Sequence, residues 1–119
     1  MITAMHTLIY AEDDTAARAF FRDVLGWPHI DAGGGWLIFR TGGAELGVHP
    51  GAPGTHHEVS LMCDDIESTV ADLTGKGVEF TRAIRDDGFG MTVTFRVPGA
   101  GEMMLYQPHH PTAFDLPAP

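Results

Sequence analysis

Two residues able to carry proton-transfer or metal chemistry sit at matching places in this chain. His6 begins the segment His6-Thr7-Leu8-Ile9-Tyr10-Ala11-Glu12-Asp13, and Glu58 begins Glu58-Val59-Ser60-Leu61-Met62-Cys63-Asp64-Asp65. Imidazole titrates near pH ~6.5 and serves as a base or a borderline metal ligand, and a neighbouring carboxylate favours its protonated form. Strand positions related by an internal pseudo-twofold approach each other when the two copies pack. His6 and Glu58 are therefore candidates for a catalytic pair or the core of a metal site. His6 as a passive strand histidine and Glu58 as an exposed strand carboxylate are the plainer alternatives. Cys63 is the single cysteine, which excludes an internal disulfide framework and a Cys-rich zinc site. The chain has no phosphate loop, nucleophile elbow or HExxH motif.

Alternation of side chains along strands sorts more residues into two sets. Ile9, Ala11, Leu46, Val48, Val59, Leu61, Cys63, Met103 and Leu105 share one parity, apolar throughout, and are expected beneath the helices. The other parity collects His6, Tyr10, Gly47, His49, Glu58, Ser60, Met62, Met104 and Tyr106, extended by Trp36, Arg40, Thr92, Thr94 and Arg96. Aromatic and thioether groups mixed with a few polar ones line small-molecule pockets. The candidate ligand-binding residues are Tyr10, Trp36, His49, Ser60, Met62, Thr94, Met104 and Tyr106. A solvated sheet face is the competing reading, against which stands the cost of so many exposed apolar groups. His56 and His57 fit a linker, and Arg40 and Arg96 fit solvated hairpin ends.

The elements that position these residues come in two copies. Ala17, Phe20, Phe21, Val24 and Leu25 form one apolar helical stripe, with Asp13 or Asp14 as cap and Gly26 as stop. Ile66, Val70 and Leu73 form the second, capped by Asp65 and ended at Gly75 and Gly77. Strands are predicted at 6–13 and 58–65, before the helices. Others are predicted at 28–32, 36–41 and 44–49, and at 78–85, 90–97 and 102–107. The fold class is α+β: two tandem βαβββ modules, residues 4–50 and 56–108, form one mixed sheet with helices on its outer face. Residues 1–119 make a single domain, with 109–119 an irregular tail. Phe21 and Leu61 are expected between sheet and helices.

Composition narrows the function. The 119 residues are 44% hydrophobic and 19% charged, as in a globular protein. Seven Lys+Arg against 16 Asp+Glu give net charge −9, which argues against nucleic acid or an anionic membrane as partner. No apolar run approaches the roughly 18 residues of a membrane span, and the first residues lack a signal-like core. A cytoplasmic protein is expected.

The element order, with His6 on the first strand and Phe20-Phe21-Arg22-Asp23-Val24-Leu25-Gly26-Trp27 closing the first helix, resembles the vicinal oxygen chelate superfamily. The segments Cys63-Asp64-Asp65-Ile66 and Gly101-Glu102-Met103-Met104-Leu105-Tyr106-Gln107-Pro108 share that likeness, which spans about residues 5–108. The superfamily includes glyoxalase I, bleomycin-resistance proteins and extradiol dioxygenases. The resemblance implies a sheet curled into a cup, a small-molecule ligand and a homodimer, with modules pairing within or between chains. It also implies metal-ligand positions at His6, Gly47, Glu58 and Met104. Gly47 has no side-chain donor, and a thioether is a poor ligand for hard divalent ions. The implied metal site is therefore degenerate.

Two readings follow. The first is a binder of the bleomycin-resistance type, without a tightly held metal, for a cationic or neutral ligand. The second is a glyoxalase-type lyase or isomerase using His6 and Glu58, as a proton-transfer pair or as a weak nickel, zinc, cobalt or iron site completed by His49. Extradiol dioxygenase activity is a third and weaker reading.

Overall fold

Two short helices, one from each half of the chain, cover the same sheet. The computed structural model describes residue 4 and residues 6–48, 50–54 and 56–117. Helix α1, Asp14–Ala19, is capped by Asp13, whose carboxylate accepts from the Ala16 amide at 3.0 Å. It continues as one π-helical turn, Phe20–Val24, marked by the Leu25 amide donating to the Phe20 carbonyl at 3.1 Å. Gly26, at φ +68°, ends it. Helix α2, Ile66–Gly75, is capped by Asp65 and followed by Gly77 at φ +88°.

The first half contributes an antiparallel pair, β1 (His29–Asp31) and β2 (Leu37–Phe39). The second contributes β3 (Ser60–Met62), β4 (Arg85–Asp86), β5 (Gly90–Val97) and β6 (Gly101–Pro108), in the order β3-β6-β5-β4. β3 runs parallel to β6, and the other pairs are antiparallel. The second half is thus a full β-α-β-β-β unit.

One face of this sheet makes the core. Val93, Phe95 and Val97 of β5 and Met103 and Leu105 of β6 are buried there with Ala17, Phe20, Phe21, Ile66, Leu73 and Val78. Phe20 stacks on Phe95 with ring centroids 6.1 Å apart, and Phe21 stacks on Trp27 at 5.2 Å. Phe21 also touches Phe39 at 5.7 Å, tying β2 to the helix. The start of α1 is fastened by the Asp13 amide, which donates to the Gly99 carbonyl at 3.0 Å. Gly99 has φ +77°, and a Cβ there would strike the Asp13 carbonyl, so this close approach requires glycine.

Several expectations need correction. Residues 6–13 and 44–49 were expected as strands, but the described parts of both segments lie outside any ladder. An extended segment becomes a strand only when a neighbour completes its hydrogen bonds. Without that neighbour its side chains are not buried: Ile9 is 39% exposed, Leu46 74% and Val48 92%. Val59 is also exposed, and Ala11, Leu61 and Cys63 are only partly buried. The apolar parity holds for Met103 and Leu105 on β6. The strand expected at 78–85 reduces to a bridge from Phe80 to Phe95 and the short β4. Phe21 is buried as expected.

Phe95 is 1% exposed and receives Phe20 on one side and Phe80 on another. Phe95→Ala should therefore cost about 3–5 kcal/mol, the usual range for a large core aromatic. Urea unfolding measures it, and a cost below about 1 kcal/mol would contradict this packing.

Candidate functional site

The sheet face opposite the helices carries cross-strand rows. Ser60 of β3 lies beside Met104 of β6, which lies beside Thr94 of β5. One step along, Met62 lies beside Tyr106, which lies beside Thr92. Ser60, Met62, Thr94, Met104 and Tyr106 are all half-buried. Register thus brings these sequence-derived candidates together. Two thioethers and a phenol ring form its apolar part, and hydroxyl groups form its polar part.

The row ends are held by polar networks. The Thr94 hydroxyl shares a hydrogen bond with the Thr81 hydroxyl. Thr92 is fully buried, and its hydroxyl donates to Asp87 Oδ2 at 2.7 Å while accepting from Arg82 Nη2 at 2.8 Å. Arg82 also donates to the Thr92 carbonyl at 3.0 Å, and Arg85 donates to Asp87 at 2.7 Å. The Thr92 hydroxyl and then Arg85 hold the Asp87 carboxyl below its ordinary value.

Tyr106 is held by both ring and hydroxyl contacts. Its ring meets Phe89 edge-on at 5.8 Å and lies 6.1 Å from the His110 ring. Its hydroxyl donates to Glu45 Oε1 at 3.3 Å and stands 3.4 Å from His110 Nε2. Burial first, and then the adjacent Glu45 charge and hydrogen bond, push the Tyr106 phenol above its ordinary value. The phenol is accordingly a neutral group at physiological pH.

Glu45 and His110 were not among the expected site residues. Glu45 stands just after Gly42-Gly43, in the segment 44–49 that alternation assigns to an ordinary strand. A lone acid in an otherwise apolar stretch was the available signal. The described part of the tail, 109–117, forms no helix or strand, yet it is tied down. The His109 amide donates to the Phe89 carbonyl at 2.9 Å, and the Ala113 amide donates to Glu45 Oε2 at 2.8 Å. Phe114 packs over Gly43, where a Cβ would collide with its ring.

Other expected residues are not gathered on this face. His6 and Glu58 lie on exposed segments outside the ladders, and Tyr10 is 90% exposed. Trp36 follows the Gly33–Gly35 turn of the β1–β2 pair, and its amide donates to the Gly33 carbonyl. His49 lies outside the described residues. Among the described residues no three His, Cys, Asp or Glu side chains converge as a metal site would require. At two of the positions implied for a metal stand Gly47 and Met104. That donor set does not fit the superfamily's divalent ion.

Two clefts lie away from this face. One of about 170 Å³ lies between Phe20, Val24, Val78 and Arg96, and one of about 350 Å³ beside Arg18, Arg22 and Gly34. No described helix is long and apolar enough to cross a membrane.

Comparison with known proteins settles the family. The sequence profile of the Glyoxalase/Bleomycin resistance protein/Dioxygenase superfamily matches residues 3–108. The chain belongs to that superfamily. A superfamily member from Sphaerobacter thermophilus DSM 20745 is similar at 23% identity, with 89% of this chain and 98% of that one covered and a TM-score of 0.64. A lactoylglutathione lyase from Agrobacterium tumefaciens is similar at 18% identity over 88% and 92%, with a TM-score of 0.62. TnmS3, an antibiotic binding protein from Streptomyces sp. CB03234, is similar at 21% identity over 91% and 99%, with a TM-score of 0.61. At these identities the likeness concerns the fold alone. No curated protein sequence matches the chain.

The Thr92 network closes the β4 end of this face and gives a direct test. Thr92→Val keeps the branched shape but removes the hydroxyl between Arg82 and Asp87. It should cost about 1–3 kcal/mol in denaturant unfolding at neutral pH. A lowered Asp87 value stabilises the fold above its unfolded value of 3.8, and that contribution is lost as pH falls through the lower folded value. The gap between wild type and variant should therefore narrow in acid. A pH-independent gap would place the loss elsewhere.

Proposed function

We propose that this chain is a small-molecule binding protein whose ligand lies on the Ser60–Met104–Thr94 row and on Met62 and Tyr106 of the next. The observation that carries this reading is the composition of a face that neither helix covers. Thioethers and an aromatic ring give adaptable apolar contact, and hydroxyls give orientation. The superfamily contains binders as well as enzymes, and an antibiotic binding protein is among the chains of similar fold. His6 and Glu58 offer two donors for a divalent ion, too few for a tightly held one, so ligand binding needs no metal.

Carbon-13 labelling of the methionine methyls tests this directly. Ligands found by screening drug-like organic molecules should shift the Met62 and Met104 resonances first. Those shifts should persist after exhaustive chelation. Ligands that shift other methionines while leaving these two still would contradict the assignment. Stoichiometric sub-micromolar nickel, zinc, cobalt or iron binding lost in His6→Ala and Glu58→Gln would instead favour a glyoxalase-type enzyme.

The working form is a homodimer. Leu8, Ile9, Tyr10, Leu46 and Val48 are exposed on extended segments that lack ladder partners. β3 is an edge of its sheet, with a hydrogen-bonding side open to another strand. A second copy supplies both needs at once. Light scattering should give twice the 12.8 kDa chain mass at micromolar concentration. A monomer persisting at high concentration would contradict it, and Tyr10→Asp with Val48→Asp should shift the equilibrium toward monomer.

A further inference from the structure

Glu45 is a carboxylate in an unusual setting. Its side chain is only 15% exposed. The Lys and Arg ion pairs among the described residues all use other acids: Asp14, Asp23, Asp72, Asp87 and Glu79. The partners of Glu45 are two neutral donors, the Tyr106 hydroxyl and the Ala113 amide, and the His110 ring at 3.7 Å. Burying a carboxylate without a full positive charge beside it is unfavourable, and the deficit is relieved by any cation that reaches it.

The hydrogen-bond directions say what kind of group fits. The phenol has one proton, and it is directed at Glu45. The free valence of the Tyr106 oxygen is then an acceptor. Glu45 accepts only. The pair therefore presents oxygen acceptors at the end of the ligand face, with the Tyr106 ring and Phe89 beside them. The tail already places its own donors there. His110 Nδ1 faces the Pro111 carbonyl at 2.8 Å, so that nitrogen carries a proton, and Nε2 faces Tyr106 and Glu45. His110 Nε2 stands 3.4 Å from the Tyr106 oxygen and 3.7 Å from Glu45 Oε1. It occupies the position of a cationic donor, on a segment with 42% of the imidazole exposed.

We propose that Glu45 and Tyr106 form a subsite for a protonated amine of the ligand, and that His110 and the Ala113 amide are internal stand-ins displaced when the amine binds. This rests on the ligand face described under Proposed function and adds the charge class of the ligand. A charge-assisted N–H···O contact to the carboxylate supplies the selectivity, and the π-face of Tyr106 adds a cation contact.

Three probes of similar size separate the possibilities: benzylammonium, benzyl alcohol and benzoate, each titrated while the Met62 and Met104 methyl resonances are followed. Benzylammonium should bind about tenfold more tightly than benzyl alcohol, and benzoate more weakly than either. Glu45→Gln should remove the benzylammonium preference, bringing its affinity to that of benzyl alcohol. Tyr106→Phe should reduce the preference while retaining ring contact. His110→Ala should strengthen benzylammonium binding, because a competitor is gone. Thermal melting of each variant confirms that it is folded. Equal binding of all three probes at these methyls would overturn the amine subsite while leaving the ligand face intact. Benzylammonium binding unchanged in folded Glu45→Gln, or weakened in His110→Ala, would also overturn it. Silence of both methyls toward all three probes would overturn the face and the subsite together.

Discussion

Everything in this molecule depends on Phe20 reaching Phe95. Phe20 belongs to the first half of the chain and Phe95 to the second, and their rings stack at 6.1 Å in the centre of the core. The six-residue α1 with its π-helical turn is too short to persist by itself. It exists because burial against β5 and β6 stabilises it. The π-helical turn matters here, because Phe20 and Phe21 are adjacent and both are buried. One stacks on Phe95 and the other on Trp27 and Phe39, so a single turn serves two sheets. The contact of Asp13 with Gly99 fixes the direction from which the helix arrives.

This packing decides where a ligand can go. Once α1 and α2 cover the Val93–Phe95–Val97 side, alternation sends Thr92, Thr94, Met104 and Tyr106 to the other. That face is closed at the β4 end by the Arg82–Asp87–Thr92 network and at the Tyr106 end by Glu45 and the tail. The edge at β3 is open, and the unpaired segments around Ile9 and Leu46 carry the apolar groups that would close it. In the proposed dimer, assembly and ligand binding would therefore be linked, because segments that paired with the open edge would also bound the face.

Local chemistry was legible in the sequence wherever it was local. Helix stripes, Asp13 and Asp65 caps, Gly26 and Gly77 stops, and the long β5–β6 hairpin follow from spacing and backbone preference alone. The likeness between halves was legible too, and the superfamily followed from it. Pairing was not. Alternation along 6–13 and 44–49 says that a strand is possible, but a ladder needs a partner at the edge, and a pattern within one segment does not supply one. The same gap hid Glu45. It lies 61 residues from Tyr106 and 68 from Ala113, and no spacing rule joins them. The family-implied positions misled for a related reason. They mark where a ligand set would stand, while Gly47 and Met104 leave that set short of donors.

A divalent ion and a protonated amine make opposite demands on a pocket, and these demands distinguish the two. A hard divalent ion needs several oxygen or nitrogen donors around one point, with most of its hydration removed. The proposed ligand face offers one carboxylate at its rim, and Met62 and Met104 across its middle are too soft to contribute. An amine needs less. One carboxylate balances its charge, a phenol oxygen takes a second proton, and aromatic and thioether surface receives the carbon skeleton attached to it. With net charge −9 the surrounding field also draws a cation toward the face. Met104, which leaves the implied metal set short of a donor, is thus the residue whose thioether would receive the carbon skeleton of the proposed organic cation.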